Sequence, residues 1–202
     1  MTNCYCYYES IDPNALAVVN LWKAGWEKHG WNPIVLGEYN FKEWLRWDEY
    51  DLAVTKLPTV NNPRYERACF RRWGAMTLRG GIMLDYDVMN YGFRPEHVPS
   101  TDRCLLLDGD SPCVVTATPE EYERACNIFM AYQPAADDLE GGHPHTSDMH
   151  ISTKLIGMGV FERVRICREY KNDGWQEAPL VHYSAFKCGS NKVKIITGER
   201  PI

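Results

Sequence analysis

Apolar positions along the chain alternate between helical and strand-like spacing. An aromatic-rich run at 4–8 reads as a strand, and Leu16, Val19, Trp22 and Trp26 then recur at three- and four-residue intervals, which puts them on one helix face. The helical pattern stops near Gly30 and 33–36 reads as a short buried strand, so the chain opens β-α-β with its strands parallel. A second amphipathic segment covers 41–51 and ends at Leu57-Pro58 and the Asn61-Asn62-Pro63 turn. A third helix is predicted from about Pro63 to Arg79, stopped by Gly80 and Gly81, with Cys69, Trp73 and Met76 on one face and Arg64, Arg67 and Arg71 on another. The apolar triplet 82–84 is a buried strand that emerges at Asp85.

Beyond it, 105–107 and 114–116 form a predicted strand pair around the turn at 108–112. Thr118, Pro119 and Glu121 give the N-cap, N1 and N3 signals of a helix running to about Tyr132. The Pro-, Gly- and His-rich stretch 134–148 reads as a mobile loop, Ser147 caps a helix to about Ile156, and 164–166 and 180–182 are late strands. This order of elements predicts one α/β domain, 1–202, with a mixed, mostly parallel central sheet flanked by helices.

Composition narrows the function. With 202 residues and 45% apolar side chains, one domain can bury its own core. A net charge of -5 argues against a global basic field for nucleic acid or anionic membrane, although the arginines of the third helix leave a local basic face. The eight cysteines form no Cys-x-x-Cys pair and read as free thiols of a reducing compartment. Residues 1–10 lack a basic segment followed by an apolar one, and no run approaches about 18 apolar residues, so a cytoplasmic, membrane-free protein is expected.

The chemistry centres on Gly80-Gly81-Ile82-Met83-Leu84-Asp85-Tyr86-Asp87-Val88. A strand ending in Asp-x-Asp can expose two carboxylates at its tip, and hard cations such as Mg²⁺ or Mn²⁺ take carboxylate oxygens and complete their shell with phosphate and water. Such a cation neutralises charge on a departing nucleoside diphosphate. An isolated Asp-x-Asp is a weak signal, since two acidic residues near a turn are usually just a solvated strand end.

An arginine-bearing helix, a Gly-Gly joint, an apolar strand and two aspartates, over roughly 65–93, resemble the DxD region of GT-A type glycosyltransferases. The resemblance implies a GT-A-like nucleotide-diphospho-sugar transferase fold, a UDP- or GDP-sugar donor, and an acceptor hydroxyl on a glycan, small molecule, protein or modified DNA base. It makes Asp85 and Asp87 metal ligands, with Asp85 also counted among the donor-binding residues, and Arg72 either a donor-phosphate contact or a structural arginine. Where such families carry Ser-Asp ahead of the arginine, this chain has Ala68-Cys69. The segment Leu180-Val181-His182-Tyr183-Ser184-Ala185-Phe186-Lys187 resembles the family's late histidine segment, which implies His182 as a third metal ligand and Lys187 as a phosphate-balancing cation.

The resemblance to GT-A enzymes further implies that Asp148, after Gly141-Gly142, is the acceptor-facing catalytic residue; helix capping by Ser147 and Asp148, or a metal cluster with His143, His145 and His150, are the alternatives. Tyr5 and Tyr7 lie on the first strand, whose end abuts the nucleotide base in this fold, and are candidate stacking residues. Two other functions compete with sugar transfer. One is a binding module on the same fold that has lost turnover. The other is a nucleotidyltransferase, disfavoured because Glu9-Ser10-Ile11-Asp12-Pro13 offers no Gly-rich basic loop.

Overall fold

The computed structural model describes residues 1–12, 15–171, 178–184, 188 and 191–198. Strand β1 (Thr2–Tyr7), helix α1 (Ala15–Glu27) and strand β2 (Trp31–Leu36) form the predicted β-α-β unit, with β1 and β2 parallel from Thr2 opposite Trp31 to Tyr7 opposite Leu36. Gly30 closes the turn between α1 and β2 at φ 87, a left-handed conformation that favours glycine.

The amphipathic segment at 41–51 divides into two helices, α2 (Glu38–Phe41) and α3 (Trp47–Val54), because the chain turns between them to seat Phe41, Trp44 and Tyr50 in one core. Helix α4 (Pro63–Met76) starts as predicted, with Asn62 accepting from the Arg64 N–H and Pro63 at the first position. It stops three residues before Arg79, and turns lead through Gly80 and Gly81, both at positive φ, into β3 (Gly81–Leu84).

A short strand unseen in the sequence pattern, β4 (Val88–Asn90), follows the acidic pair. The predicted pair then appears as β5 (Leu105–Leu106) and β6 (Val114–Ala117), antiparallel. Helix α5 (Pro119–Ala131) is capped by Thr118. The 134–148 stretch contains a small hairpin, β7 (Leu139–Glu140) and β8 (His143–Pro144), and α6 (Asp148–Gly157) begins at the Ser147 cap.

The late strand predicted at 164–166 is instead β9 (Glu162–Arg163) and β10 (Cys167–Glu169), which lie in different sheets; the intervening residues carry the chain from one to the other. Strand β11 (Leu180–His182) agrees with the sequence, and α7 (Lys192–Thr197) is the last described helix.

The central six-stranded sheet runs β2-β1-β3-β6-β5-β9. The pairs β2–β1, β1–β3 and β5–β9 are parallel, while β3–β6 and β6–β5 are antiparallel. Alternation along β1 sends Cys4 and Cys6 to one face and Tyr5 and Tyr7 to the other. The cysteine face packs on Trp22 and Trp26 of α1, and the tyrosine face on Phe70, Trp73 and Met76 of α4 and Phe129 of α5. The fold is thus α/β, with a mixed sheet flanked by helices.

A second, three-stranded sheet, β10-β11-β4, joins the cysteine-side core. It turns the chain after β3 back across the end of the central sheet. All eight cysteines are free thiols. Among the described residues no helix is long and apolar enough to cross a membrane.

Candidate metal centre

Strand β3 delivers Asp85 and Asp87 to the junction of the two sheets. The Asp85 N–H donates to the Cys113 carbonyl at 2.8 Å, and Val88 N–H donates to the Asp85 carbonyl at 3.0 Å, which turns the chain between β3 and β4. Antiparallel pairing of β4 with β11 then sets His182 opposite Val88, and Tyr183 N–H donates to the Asp87 carbonyl at 2.9 Å. That register brings a histidine from far along the chain beside the aspartates.

His182 Nε2 lies 3.4 Å from Asp87 Oδ1 and 4.0 Å from Asp85 Oδ2. One ligand atom from each of Asp85, Asp87 and His182 falls within 4.8 Å of the others. Two carboxylates and an imidazole form an O,O,N donor set that fits Mn²⁺, whereas Mg²⁺ would use the two carboxylates alone.

Each carboxylate is balanced within the protein. Arg72 Nη1 pairs with Asp85, while its Nη2 and Nε donate to Asp148 Oδ2 at 2.6 and 3.2 Å. Trp73 Nε1 donates to the same oxygen at 2.9 Å. Lys192, at the start of α7, pairs with Asp87 Oδ2.

Three carboxylates (Asp85, Asp87, Asp148) therefore meet two permanent cations (Arg72, Lys192), leaving one negative charge for His182 or an added cation. Burial drives the Asp85 carboxyl up, offset only in part by Arg72 and reinforced by Asp87, to about 6. Burial acts likewise on Asp87, but His182 and Lys192 outweigh it and hold that carboxyl down at about 2. Burial alone would lower His182, yet Cys113 and Asp87 overcome it and hold the imidazole well above its ordinary range.

Several predicted roles change. Arg72 is only 6% exposed and committed on both sides, so it acts as a clamp that fixes Asp85, the structural alternative foreseen for it. Asp148 is 4% exposed beneath α4 and receives three hydrogen bonds on one oxygen; it anchors Arg72 and does not face an open acceptor space. The histidines proposed as its metal partners do not join it, because the groups that gather near Asp148 are Glu66 and Cys69.

Tyr5 and Tyr7 point into the core, the Tyr5 hydroxyl accepting from Asn3 and the Tyr7 hydroxyl donating to Glu9, so neither ring offers a face for a base. The rings that border the acidic pair are Tyr8 and Tyr86, edge to face with centroids 5.9 Å apart. Lys187 lies outside the described residues.

The basic stripe on α4 is also largely neutralised: Arg67 and Arg71 both pair with Asp51, Arg71 also with Glu9, and Arg79 pairs with Glu43. A duplex phosphate would have to compete with these internal partners at Arg67, Arg71 and Arg79.

Lys192 and the Asp148 anchor escaped the sequence reading. Lys192 sits in a six-residue helix with no motif, and Asp148 meets Arg72 across 76 positions, a contact that local spacing cannot encode. Comparison of the sequence with models of known protein families and with characterised proteins finds no match.

Proposed function

We propose that this protein is a metal-dependent glycosyltransferase of GT-A type that moves a sugar from a nucleotide-sugar donor to an acceptor hydroxyl. The observation that carries the proposal is the convergence of Asp85, Asp87 and His182 from β3, its exit turn and β11 onto one point. The parallel β2-β1-β3 arrangement, with the acidic pair at the C-terminal end of β3, supports it, since ligands of open α/β sheets bind outside those strand ends.

Asp85, Asp87 and His182 would hold the cation, and the chemistry it would supply there is neutralisation of charge on a diphosphate leaving group. Arg72, held by Asp148, whose Oδ2 also accepts from Trp73, fixes the direction of Asp85 before any ligand arrives, so the site needs little reorganisation when charge develops. We assign Lys192 the phosphate-balancing role that the resemblance implies for Lys187, because its ammonium already lies against Asp87. Tyr8 and Tyr86 are the aromatic pair available to a nucleotide base.

Calorimetry tests the reading. UDP or GDP is expected to bind only with Mn²⁺ present, and Asp87→Ala is expected to weaken that metal-dependent affinity at least tenfold, about 1.4 kcal/mol. Unchanged affinity in Asp87→Ala overturns the proposal. Slow metal-dependent hydrolysis of the donor sugar separates an active transferase from a binding module without turnover.

A further inference from the structure

His182 belongs to a second set of ligating side chains. One ligand atom from each of Asp108, Cys113 and His182 lies within 4.8 Å of the others. Asp108 and Cys113 stand at the two ends of the connection from β5 to β6, brought together where Leu107 N–H donates to the Val114 carbonyl at 2.9 Å. The Leu107 carbonyl in turn accepts from both Ile166 and Cys167 N–H, at 2.8 and 2.9 Å, which seats the start of β10 against this connection. As a result the buried Cys167 packs in the same core as the buried Cys113, whose thiol lies within 4.8 Å of a His182 nitrogen.

The chemistry of this set differs from that of the aspartate pair. It combines a carboxylate, an imidazole and one or two sulfurs, whereas Asp85, Asp87 and His182 offer two carboxylates and an imidazole. Hard cations gain little from sulfur, but Zn²⁺ binds Cys, His and Asp together and favours four-coordinate tetrahedral sites. The ligands come from strand ends and the β5–β6 connection, which hold them near one another before any cation arrives.

We infer that Asp108, Cys113 and His182 form a binding site for Zn²⁺ or a similar thiophilic divalent cation, with the fourth position taken by Cys167 or water. Zinc enters as the thiolate complex and each coordinating thiol releases its proton to solvent. Because His182 serves both triads, zinc here draws the imidazole away from Asp87. That antagonism with Mn²⁺ rests on the function proposed above, whereas zinc binding itself does not.

X-ray absorption spectroscopy on the full chain loaded with one equivalent of Zn²⁺ provides the test. Wild type is expected to show one or two sulfur scatterers per zinc at about 2.3 Å. Cys113→Ser is expected to lose at least one of them, whereas Cys69→Ser, which alters the other thiol beside carboxylates, and Asp87→Asn are expected to leave the sulfur shell unchanged. A wild-type shell of nitrogen and oxygen alone overturns the inference, and so does loss of the sulfur shell in Cys69→Ser. The wild-type and Cys69→Ser spectra decide the matter even if Cys113→Ser does not fold. Failure of this test leaves the Asp87→Ala calorimetry intact, so the two readings fall separately.

Discussion

Asp148 illustrates how a single side chain changes meaning once its neighbours are known. After a Gly-Gly segment and beside a helix cap, it is the acid that the resemblance to GT-A enzymes turns toward an acceptor. In the fold its Oδ2 accepts from Arg72 and Trp73, and the guanidinium it anchors reaches Asp85 on its other side. Removing one partner of a buried ion pair leaves an uncompensated charge, so Asp148→Ala is expected to lower the unfolding free energy by about 3 kcal/mol in urea titrations. A catalytic base facing solvent would leave that stability nearly unchanged. Asp85 and Asp87 make a related point: identical residues two positions apart are pushed in opposite directions, because at Asp85 burial and the charge of Asp87 outweigh Arg72, whereas at Asp87 burial is outweighed by His182 and Lys192 together.

Among elements, α4 matters most to the site because it presents Arg72 and Trp73 from one turn while its other residues pack on α2 and α5. Its closeness to α2 depends on Gly74, where an added Cβ would lie 2.5 Å from the Phe41 ring. That ring is boxed in by Trp47 and Tyr50 and cannot swing aside cheaply. Gly74→Ala is therefore expected to destabilise the protein by about 2 kcal/mol despite alanine's better helix propensity, and to displace the helix that carries Arg72. Thermal unfolding and near-ultraviolet circular dichroism read both effects. Helix α4 also shows why start signals outperform stop signals here: Asn62 and Pro63 act locally, but the helix ends at Met76 because the following turns must feed β3.

At the scale of the whole molecule, buried ionisable groups make stability depend on pH in opposing ways. Burial pushes Glu66 from 4.5 to about 7, in spite of its hydrogen bond from Asn61. Between those two values the folded state keeps a proton that the unfolded chain has lost, so this group's contribution declines as pH rises from 4.5 through about 7 and is flat above. Asp51 behaves conversely. Burial would raise it, but Arg67 and Arg71 hold it at about 2 against 3.8 unfolded, so its stabilisation is present above 3.8 and is lost as pH falls through about 2. Glu66→Gln is expected to flatten the decline between pH 4.5 and 7 while leaving the acid limb in place, measured by urea midpoints across that range. An unchanged slope would mean that Glu66 is not the group responsible.

The sequence by itself determined the β-α-β opening, the starts of α4, α5 and α6, the β5–β6 pair, β11 and the acidic strand end. These rest on side-chain period, caps and turn residues, which act over a few positions. Tertiary structure decided what periodicity cannot reach. It split 41–51 into two helices to fill one core, placed β9 and β10 in different sheets, and turned Tyr5 and Tyr7 inward through the alternation of β1. It also set His182 beside Asp87 by the β4–β11 register, and tied Arg72 to Asp148 across the fold. A carboxylate's type is written in the chain, but its partner, exposure and proton affinity are set by residues that only folding brings near.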